Sequence, residues 1–193
     1  MPDTFIRERE PSLGMALPWR SPLDGLRPVV VPGRLAATSA PDMARLSLRG
    51  DAAALGAAFG IALSVQPCRA ASAGDRAALW LGPDEWLLLA PPDTLDPAVP
   101  IEGAAVVDIG HRQVGLVLDG PGAMDALAAG CPLDLHPSVF PPGMCTRTMF
   151  GKAEIVLWRQ GEARFHVEVW RSFAGYVHGL LEVASRDGGR DSV

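Results

Sequence analysis

The sequence predicts an α+β domain in which a strand–helix–strand–strand unit occurs twice. The first observation is a repeat at an offset of 70 residues, where Leu-Ser-Leu-Arg-Gly at 46–50 is matched by Leu-Val-Leu-Asp-Gly at 116–120. The second is that a short helical pattern and then a hairpin pattern follow each of these strands. Because one unit alone cannot bury its apolar face, we expect the units to form a mixed antiparallel sheet, or sheets, with helices packed on one face.

The first unit is expected at about residues 45–105. Its strand is followed by Asp51, which can cap a helix in which Leu55 and Phe59 lie one turn apart, and Gly60 can end that helix. Apolar runs at 78–81 and 86–89 flank a Gly-Pro-Asp-Glu turn, which is typical of a hairpin.

The second unit is expected at about residues 106–185. Its short helix is closed by Gly130, and runs at 153–158 and 165–170 form a hairpin in which His166 is out of phase with its apolar neighbours and should face solvent or a partner. A final helix capped by Ser172 carries an apolar stripe. Its members are Phe173, Tyr176, Val177, Leu180, Leu181 and Ala184.

Residues 1–44 differ from the rest and predict a proline-rich, extended N-terminal arm. They hold seven prolines and no sustained apolar period, so we expect neither a helix nor a central strand there. Trp19 and the run Ser21, Pro22, Leu23 are the apolar anchors of this arm, which should lie over its own domain or over a partner. At the other end, residues 186–193 are polar and glycine-rich, so a flexible tail is expected.

Composition excludes several classes of function. A length of 193 residues with 48% apolar content suits one domain plus an arm, and a net charge of −5 argues against a general nucleic-acid binder. No apolar run reaches the roughly 20 residues of a membrane helix, and the first residues lack the apolar core of a secretory signal. Three widely spaced cysteines are poor material for a disulfide framework, so we expect a cytoplasmic protein.

The segment 130–148 holds the greatest concentration of reactive side chains, among them Cys131, His136, Cys145 and Arg147. A structural zinc site needs close pairs such as Cys-x-x-Cys, and a nucleophilic cysteine needs a neighbouring base and an oxyanion donor. Neither pattern occurs, and several prolines pin the segment. We therefore interpret it as a rigid loop between a helix and a strand, and we assign no catalytic, cofactor-binding or metal-binding residue to the chain.

A second polar group lies at Asp108 and His111, where the strand alternation changes phase near Gly110. One interpretation is a β-bulge that aims both side chains at a pocket. The other is an edge distortion with a salt bridge between Asp108 and Arg112. The nearby Asp-Gly-Pro-Gly-Ala at 119–123 lacks the third glycine of a dinucleotide loop, so a plain strand-to-helix turn is favoured.

Three segments resemble the gamma subunit of heterotetrameric sarcosine oxidase. They are the arm motif at 21–23, the run Gly-Cys-Pro-Leu-Asp-Leu-His-Pro at 130–137, and the long run at 143–159 that begins Gly-Met-Cys-Thr-Arg-Thr. Residues 107–111 and 118–123 are more distantly similar to a pattern near the start of aminomethyltransferases and their folate-binding relatives, with Gly110 in place of a serine. The resemblance implies a fold similar to the aminomethyltransferase folate-binding domain.

The same resemblance implies a role and a set of partners. Complexes of this family demethylate sarcosine oxidatively to glycine, producing hydrogen peroxide and either formaldehyde or methylene-tetrahydrofolate. FAD, FMN, NAD, folate and zinc are then expected in the alpha, beta and delta partner subunits and none in this chain. Our first hypothesis is therefore a non-catalytic subunit that stabilises the assembly. Its candidate contact surfaces are the arm, with Trp19, Ser21, Pro22 and Leu23, and the loop with Cys131, His136 and Arg147.

Two further hypotheses remain open at the level of sequence. One is a stand-alone folate-dependent one-carbon transferase that uses Asp108 or His111 beside a pterin pocket. The other is a regulatory binding module for a different flavoprotein.

Overall fold

The structure, a computed structural model, describes residues 20–187, which form two antiparallel β-sheets with helices on their outer faces. The strands are β1 Val29–Val31, β2 Leu35–Ser39, β3 Ala44–Arg49, β4 Ala70–Ala73, β5 Arg76–Gly82, β6 Glu85–Ala90, β7 Ala105–Asp108, β8 Gln113–Asp119, β9 Cys145–Phe150, β10 Ala153–Arg159 and β11 Arg164–Trp170. The helices are α1 Ala52–Phe59, α2 Ala123–Ala128 and α3 Ala174–Asp187, the last preceded by a 3₁₀ turn at Arg171–Phe173.

The predicted α+β class is confirmed, and the repeated unit is visible in the strand order of the two sheets. The five-stranded sheet has the order β4-β5-β6-β3-β7, and the six-stranded sheet has β9-β10-β11-β8-β2-β1. Each unit therefore builds its own sheet, with every ladder antiparallel. The strand that precedes each unit crosses over: β2 pairs with β8, and β7 pairs with β3, so the two halves are interlocked.

Local signals in the sequence produced the first helix and both hairpins as expected. The Asp51 side chain accepts a hydrogen bond from the Ala54 N–H at 2.8 Å, which caps α1, and Gly60 ends the helix with φ of +65°. At α3, by contrast, Ser172 lies inside the 3₁₀ turn and makes no capping bond. The helix still packs through Ala174, Val177 and Leu181, all of which are buried.

The expectation that residues 1–44 contain no central strand is wrong for the described part. Strand β2 lies inside the six-stranded sheet, between β1 and β8, and Val29 and Leu35 are buried in its core. The prolines do not prevent this because they fall between strands, with Pro28 and Pro32 on either side of β1. Residues 20–39 thus belong to the domain, whereas 1–19 lie outside the described residues.

Two smaller boundaries also differ from the expectation. Helix α3 continues to Asp187, so the first two residues of the expected tail are helical, and 188–193 lie outside the described residues. The phase change near Gly110 is not a bulge within one strand. It marks a turn in which the Arg112 N–H donates to the Ile109 carbonyl at 2.9 Å, while the chain passes from β7 in one sheet to β8 in the other.

Three buried clusters define a layered α–β–β–α arrangement. Helices α2 and α3 cover the outer face of the six-stranded sheet, and α1 covers the outer face of the five-stranded sheet. Between the sheets, Leu79, Leu87 and Leu89 pack against Cys145 and Val156. Each sheet is therefore covered on both faces.

Candidate functional site

The arm motif packs mainly against its own domain. Leu23 is only 4% exposed and belongs to the core of the six-stranded sheet, so its side chain is not a surface for a partner. Ser21 and Pro22 are half-buried, and the Ser21 hydroxyl accepts a hydrogen bond from the Leu23 N–H at 3.2 Å. Trp19, the other predicted anchor, lies outside the described residues.

The loop between α2 and β9 is held by a buried arginine in addition to its prolines. The Arg159 side chain donates to the carbonyls of Leu135 at 3.0 Å and Phe140 at 2.9 Å, and to those of Gly161 and Glu162 in the adjacent turn. Arg159 is 2% exposed, and its guanidinium also lies 5.1 Å from the Phe165 ring centroid. Since no carboxylate hydrogen-bonds it among the described residues, the carbonyl dipoles compensate its charge.

The two cysteines of this segment are buried and point to different partners. The Cys131 sulfur lies 3.8 Å from the Thr148 hydroxyl, and the Cys145 thiol donates to the Trp80 carbonyl at 3.6 Å. Burial raises the pKa of the Cys145 thiol to about 12, which makes it a poor nucleophile. The proposal of Cys131 as a contact residue is therefore wrong for its side chain, because it is 7% exposed.

His136 and Arg147, the other two predicted contact residues of the loop, are exposed. The His136 Nδ1 lies 2.7 Å from the Ser138 hydroxyl, so the imidazole is held in a tight local turn. Within residues 20–187, no three His, Cys, Asp or Glu side chains are grouped as metal ligands would be. The segment therefore offers a surface and no assembled reaction centre among the described residues.

Arg147 joins the two sheets at the surface through Glu85. Its Nη2 lies 2.7 Å from one Glu85 oxygen, and Arg49 lies 2.8 Å from the other. Burial by itself raises the pKa of Glu85, but the hydrogen bond and charge of Arg147, aided by Arg49, outweigh it and leave the pKa lowered. This exposed network links β9 to β3 and β6.

Asp108 and His111 line the same pocket, but a turn and not the predicted β-bulge places them there. Both line an open pocket of about 330 Å³ at the end of β7. Asp108 Oδ1 accepts a hydrogen bond from the Gly110 N–H at 2.8 Å, and both side chains are exposed. The salt bridge of the alternative interpretation is not formed, because the Arg112 guanidinium lies over the Trp170 ring at 4.7 Å instead.

The glycines after β8 serve chain packing, as the plain turn requires. The Gly122 N–H donates to the Arg34 carbonyl at 2.8 Å, so an amide that a phosphate would need is already used. Gly120 has φ of +118°, and a Cβ there would collide with the Arg34 backbone. The turn after β8 therefore packs against the β1–β2 hairpin and hydrogen-bonds to it.

A buried charged cluster that the sequence patterns did not predict lies between the sheets and is formed by Arg45, His166 and Glu168. Arg45 donates from Nε to Glu168 Oε2 at 2.6 Å and from Nη2 to Oε1 at 3.1 Å. The His166 Nε2 lies 2.7 Å from the same Oε1, and its ring is 6.0 Å from that of Trp158. The prediction that His166 faces solvent or a partner is wrong, since it is 3% exposed. Alternation of apolar residues along β11 predicts that this face of the strand is exposed to solvent, but the second sheet covers it.

The geometry of this cluster favours a structural role. Burial raises the pKa of Glu168, but the hydrogen bond and charge of His166, followed by those of Arg45, reverse the shift, so the pKa is lowered and the carboxylate stays ionised. Gly115 makes room for the cluster, because a Cβ there would lie 2.9 Å from Glu168 Oε1 and 3.1 Å from His166 Cε1. The signal that could have revealed it is Arg45, a charge directly before the alternating leucines of β3.

The two stacked sheets with helices on their outer faces define an α+β fold that known structures share. The structure is similar to the aminomethyltransferase T of the glycine cleavage system from Bartonella henselae, with a TM-score of 0.60, 16% identity, and coverage of 80% of this chain and 47% of that chain. At this identity the likeness establishes the fold alone. Among the described residues, no helix has the length and apolar character needed to span a membrane.

Relatives with higher sequence identity identify the family of this chain. The family model described as "Sarcosine oxidase, gamma subunit family" matches residues 47–187. The sarcosine oxidase subunit gamma of Corynebacterium sp. strain U-96 is 36% identical over 140 residues, which is 69% of this chain and 68% of that protein. The subunit gamma of an Arthrobacter species is 36% identical over 137 residues, 67% of this chain and 68% of that protein. The chain belongs to the sarcosine oxidase gamma subunit family.

Proposed function

We propose that this chain is the gamma subunit of a heterotetrameric sarcosine oxidase and supplies structure and contact surface without a catalytic group of its own. The observation that carries the proposal is a likeness over almost the whole chain. A chain of the heterotetrameric sarcosine oxidase from Corynebacterium sp. U-96, solved with pyrrole 2-carboxylate, has a TM-score of 0.81 and 31% identity, with coverage of 91% of this chain and 98% of that chain.

In this proposal the partners are alpha, beta and delta subunits, which hold FAD, FMN, NAD, folate and zinc. The assembly converts sarcosine to glycine and releases formaldehyde or methylene-tetrahydrofolate with hydrogen peroxide. Two features of this chain favour a structural role without catalysis. The Glu168 carboxylate is hydrogen-bonded by Arg45 and His166, and Cys145 is a protonated thiol. We place the assembly in the cytoplasm, a location supported by three free cysteines in the chain.

Co-expression with and without this chain tests the proposal. Omission should lower the yield and thermal stability of the assembled flavoprotein, and adding the purified chain back should restore them. The chain alone should be colourless and should not oxidise sarcosine. An alpha–beta–delta complex that forms with unchanged stability in its absence would contradict the assembly role.

The design of an arm deletion follows from the fold. Removing residues 1–44 would also remove β1 and β2 and the buried Leu23 and Leu35, so loss of assembly would only report unfolding. Removing residues 1–19 retains every residue that the structure describes up to the C-terminal end of α3. Comparing the two truncations, with melting temperature as the folding control, separates a contact made by the first residues from a requirement for the domain core.

The folate-transferase alternative has one feature in its favour, the shared pocket of Asp108 and His111. Asp42 and Asp93 also line that pocket. Three carboxylates repel the anionic glutamate tail of a folate, which weighs against the alternative. Calorimetric titration of the isolated chain with tetrahydrofolate distinguishes the two, since micromolar binding would favour the transferase.

A further inference from the structure

Within residues 20–187, strand β7 forms a free edge of the five-stranded sheet, with backbone groups that no described residue pairs. The Ile109 N–H donates to the Arg45 carbonyl at 2.9 Å, and the register pairs Val107 with Ser47, so these residues of the β7 segment direct their backbone groups toward β3. Because these directions alternate along a strand, the N–H and C=O groups of Val106 and Asp108 point away from β3, in the plane of the sheet and toward its open edge. Nothing in the described part of the chain hydrogen-bonds them.

The other free edge is protected in a way that β7 is not. Strand β1 has three residues and lies between Pro28 and Pro32, which limits further pairing. At the remaining corner the edges of the two sheets pair with each other, where the Cys145 N–H donates to the Cys68 carbonyl at 3.0 Å. Strand β7 contains no proline, lysine or arginine, and its Val107 is 53% exposed. An edge of this kind is a ready template for an added strand.

Two adjoining pockets beside β7 carry acidic side chains, and together we call them the acidic groove. Two open pockets of about 330 and 560 Å³ share Pro97 in their walls, and Val106 and Asp108 each line one of them. The carboxylates in these walls are Asp42, Asp93, Asp108 and Glu102. No lysine or arginine is among the residues that line the two pockets, and apolar side chains form most of the second.

We propose that an extended segment of a larger subunit, carrying arginine or lysine side chains, adds to the β7 edge as a sixth strand of the five-stranded sheet. Its backbone hydrogen-bonds Val106 and Asp108, and its basic side chains lie among Asp42, Asp93 and Asp108. This inference rests on the proposed role as a subunit. The free backbone groups supply affinity for a strand, and the charge of the groove selects a basic one.

The decisive substitution is Val106→Pro, which removes the outward N–H and leaves the ladder to β3 intact, as proline on the outer side of an edge strand does. Its matched control is Val30→Pro on the β1 edge. We expect V106P to weaken association with the alpha–beta–delta subcomplex by about tenfold, whereas V30P leaves it unchanged. The melting temperature of each free variant shows whether it folds.

A charge experiment keeps the inference testable even if V106P does not fold. The double variant Asp93→Asn with Asp108→Asn should slow association and reduce its dependence on salt, because steering by the groove is lost. The control is Asp75→Asn with Glu162→Gln, which removes the same charge from exposed sites elsewhere.

Hydrogen exchange on the whole complex completes the test. We expect the amides of Val106 and Asp108 to become protected on assembly. A complex that forms without this protection, or that binds V106P as tightly as wild type, overturns the inference and leaves the proposed function standing. Failure of the wild-type chain to join any complex overturns the proposed function itself. Self-association of the isolated chain through this edge would also overturn the inference, because the added strand would then come from a second copy of this chain.

Discussion

Arg45 of β3 and Glu168 of β11 form a bidentate ion pair between the two sheets, at 2.6 and 3.1 Å, although 123 positions separate them. Both side chains are almost fully buried, at 4% and 0% exposure. Arg45 also donates to the Met43 carbonyl at 2.8 Å, so its guanidinium is well satisfied. The pair fixes the position of one unit against the other, because loss of either residue would leave the other as a buried charge without this partner.

Replacing Arg45 with methionine should destabilise the domain by about 3–5 kcal/mol, because Glu168 would remain buried beside only a histidine. Urea unfolding of the purified chain measures the change. The matched control is Arg49→Met on the same strand, whose side chain is 61% exposed and pairs with Glu85. That control should change stability by less than about 1 kcal/mol. If both substitutions lowered the free energy of unfolding equally, the buried Arg45–Glu168 pair would contribute no more to stability than an exposed pair.

Glu168 should also make stability depend on pH at the acidic end. Its folded pKa is lowered, so its contribution is fully present above the unfolded value of about 4.3 and is lost as the pH falls through the folded value. The stability difference between wild type and Glu168→Gln should therefore shrink progressively below about pH 4.3. Urea titrations from pH 7 to 3 measure it. Glu162→Gln, at an exposed position, serves as the reference, and a difference for E168Q that stays constant would contradict this assignment.

Gly115 should not tolerate a side chain. A Cβ there would lie 2.7 Å from the Ala40 Cβ and would also press on Glu168 and His166. We expect Gly115→Ala to destabilise the domain by about 1–3 kcal/mol. Gly175→Ala is the control, since its Cβ would meet nothing within 4 Å on the exposed side of α3, and it should stabilise slightly. Thermal melting of both variants decides, and a stable G115A would mean that the cluster can shift.

Arg159 should be required for an ordered loop between α2 and β9. In Arg159→Leu the carbonyls of Leu135 and Phe140 lose their buried donor, at a cost of about 1–3 kcal/mol for each group left unsatisfied. Limited proteolysis should then cut within residues 129–144 faster than in wild type. Arg164→Leu, which removes an exposed arginine paired with Asp119, should leave the cleavage rate unchanged. Resistance of R159L to cleavage would show that the prolines alone hold the loop.

The three thiols should differ in reactivity. Cys145 is fully buried with a pKa raised to about 12, and Cys131 is 7% exposed, whereas Cys68 is half-buried near the surface. At pH 8 a thiol reagent should therefore label one cysteine quickly in the native chain and the other two only after unfolding. Cys68→Ala should abolish the fast reaction. Rapid modification of two or more thiols in the folded protein would show that the loop between α2 and β9 opens in solution and exposes its cysteines.

The local elements were determined by the sequence itself. The Asp51 cap and Gly60 terminus bound the first helix, and turn residues at 82–85 join the first hairpin, because capping and turn chemistry act within a few residues. The repeated order of elements also followed from pattern alone, and with it the α+β class. The quoted motifs further identified the family, which the comparison with known proteins confirmed.

Only the tertiary structure decided which faces and edges are covered. Alternation along β11 assigns His166 to water, yet a second sheet buries it beside Glu168. Likewise the proline-rich segment at 28–41 places β2 beside β8, which lies more than 70 residues further along the chain, and β7 leaves its own unit to pair with β3. Periodicity reports the environment of a strand relative to its neighbours in sequence, whereas the stacking and crossover of strands depend on contacts between residues that are distant in the chain.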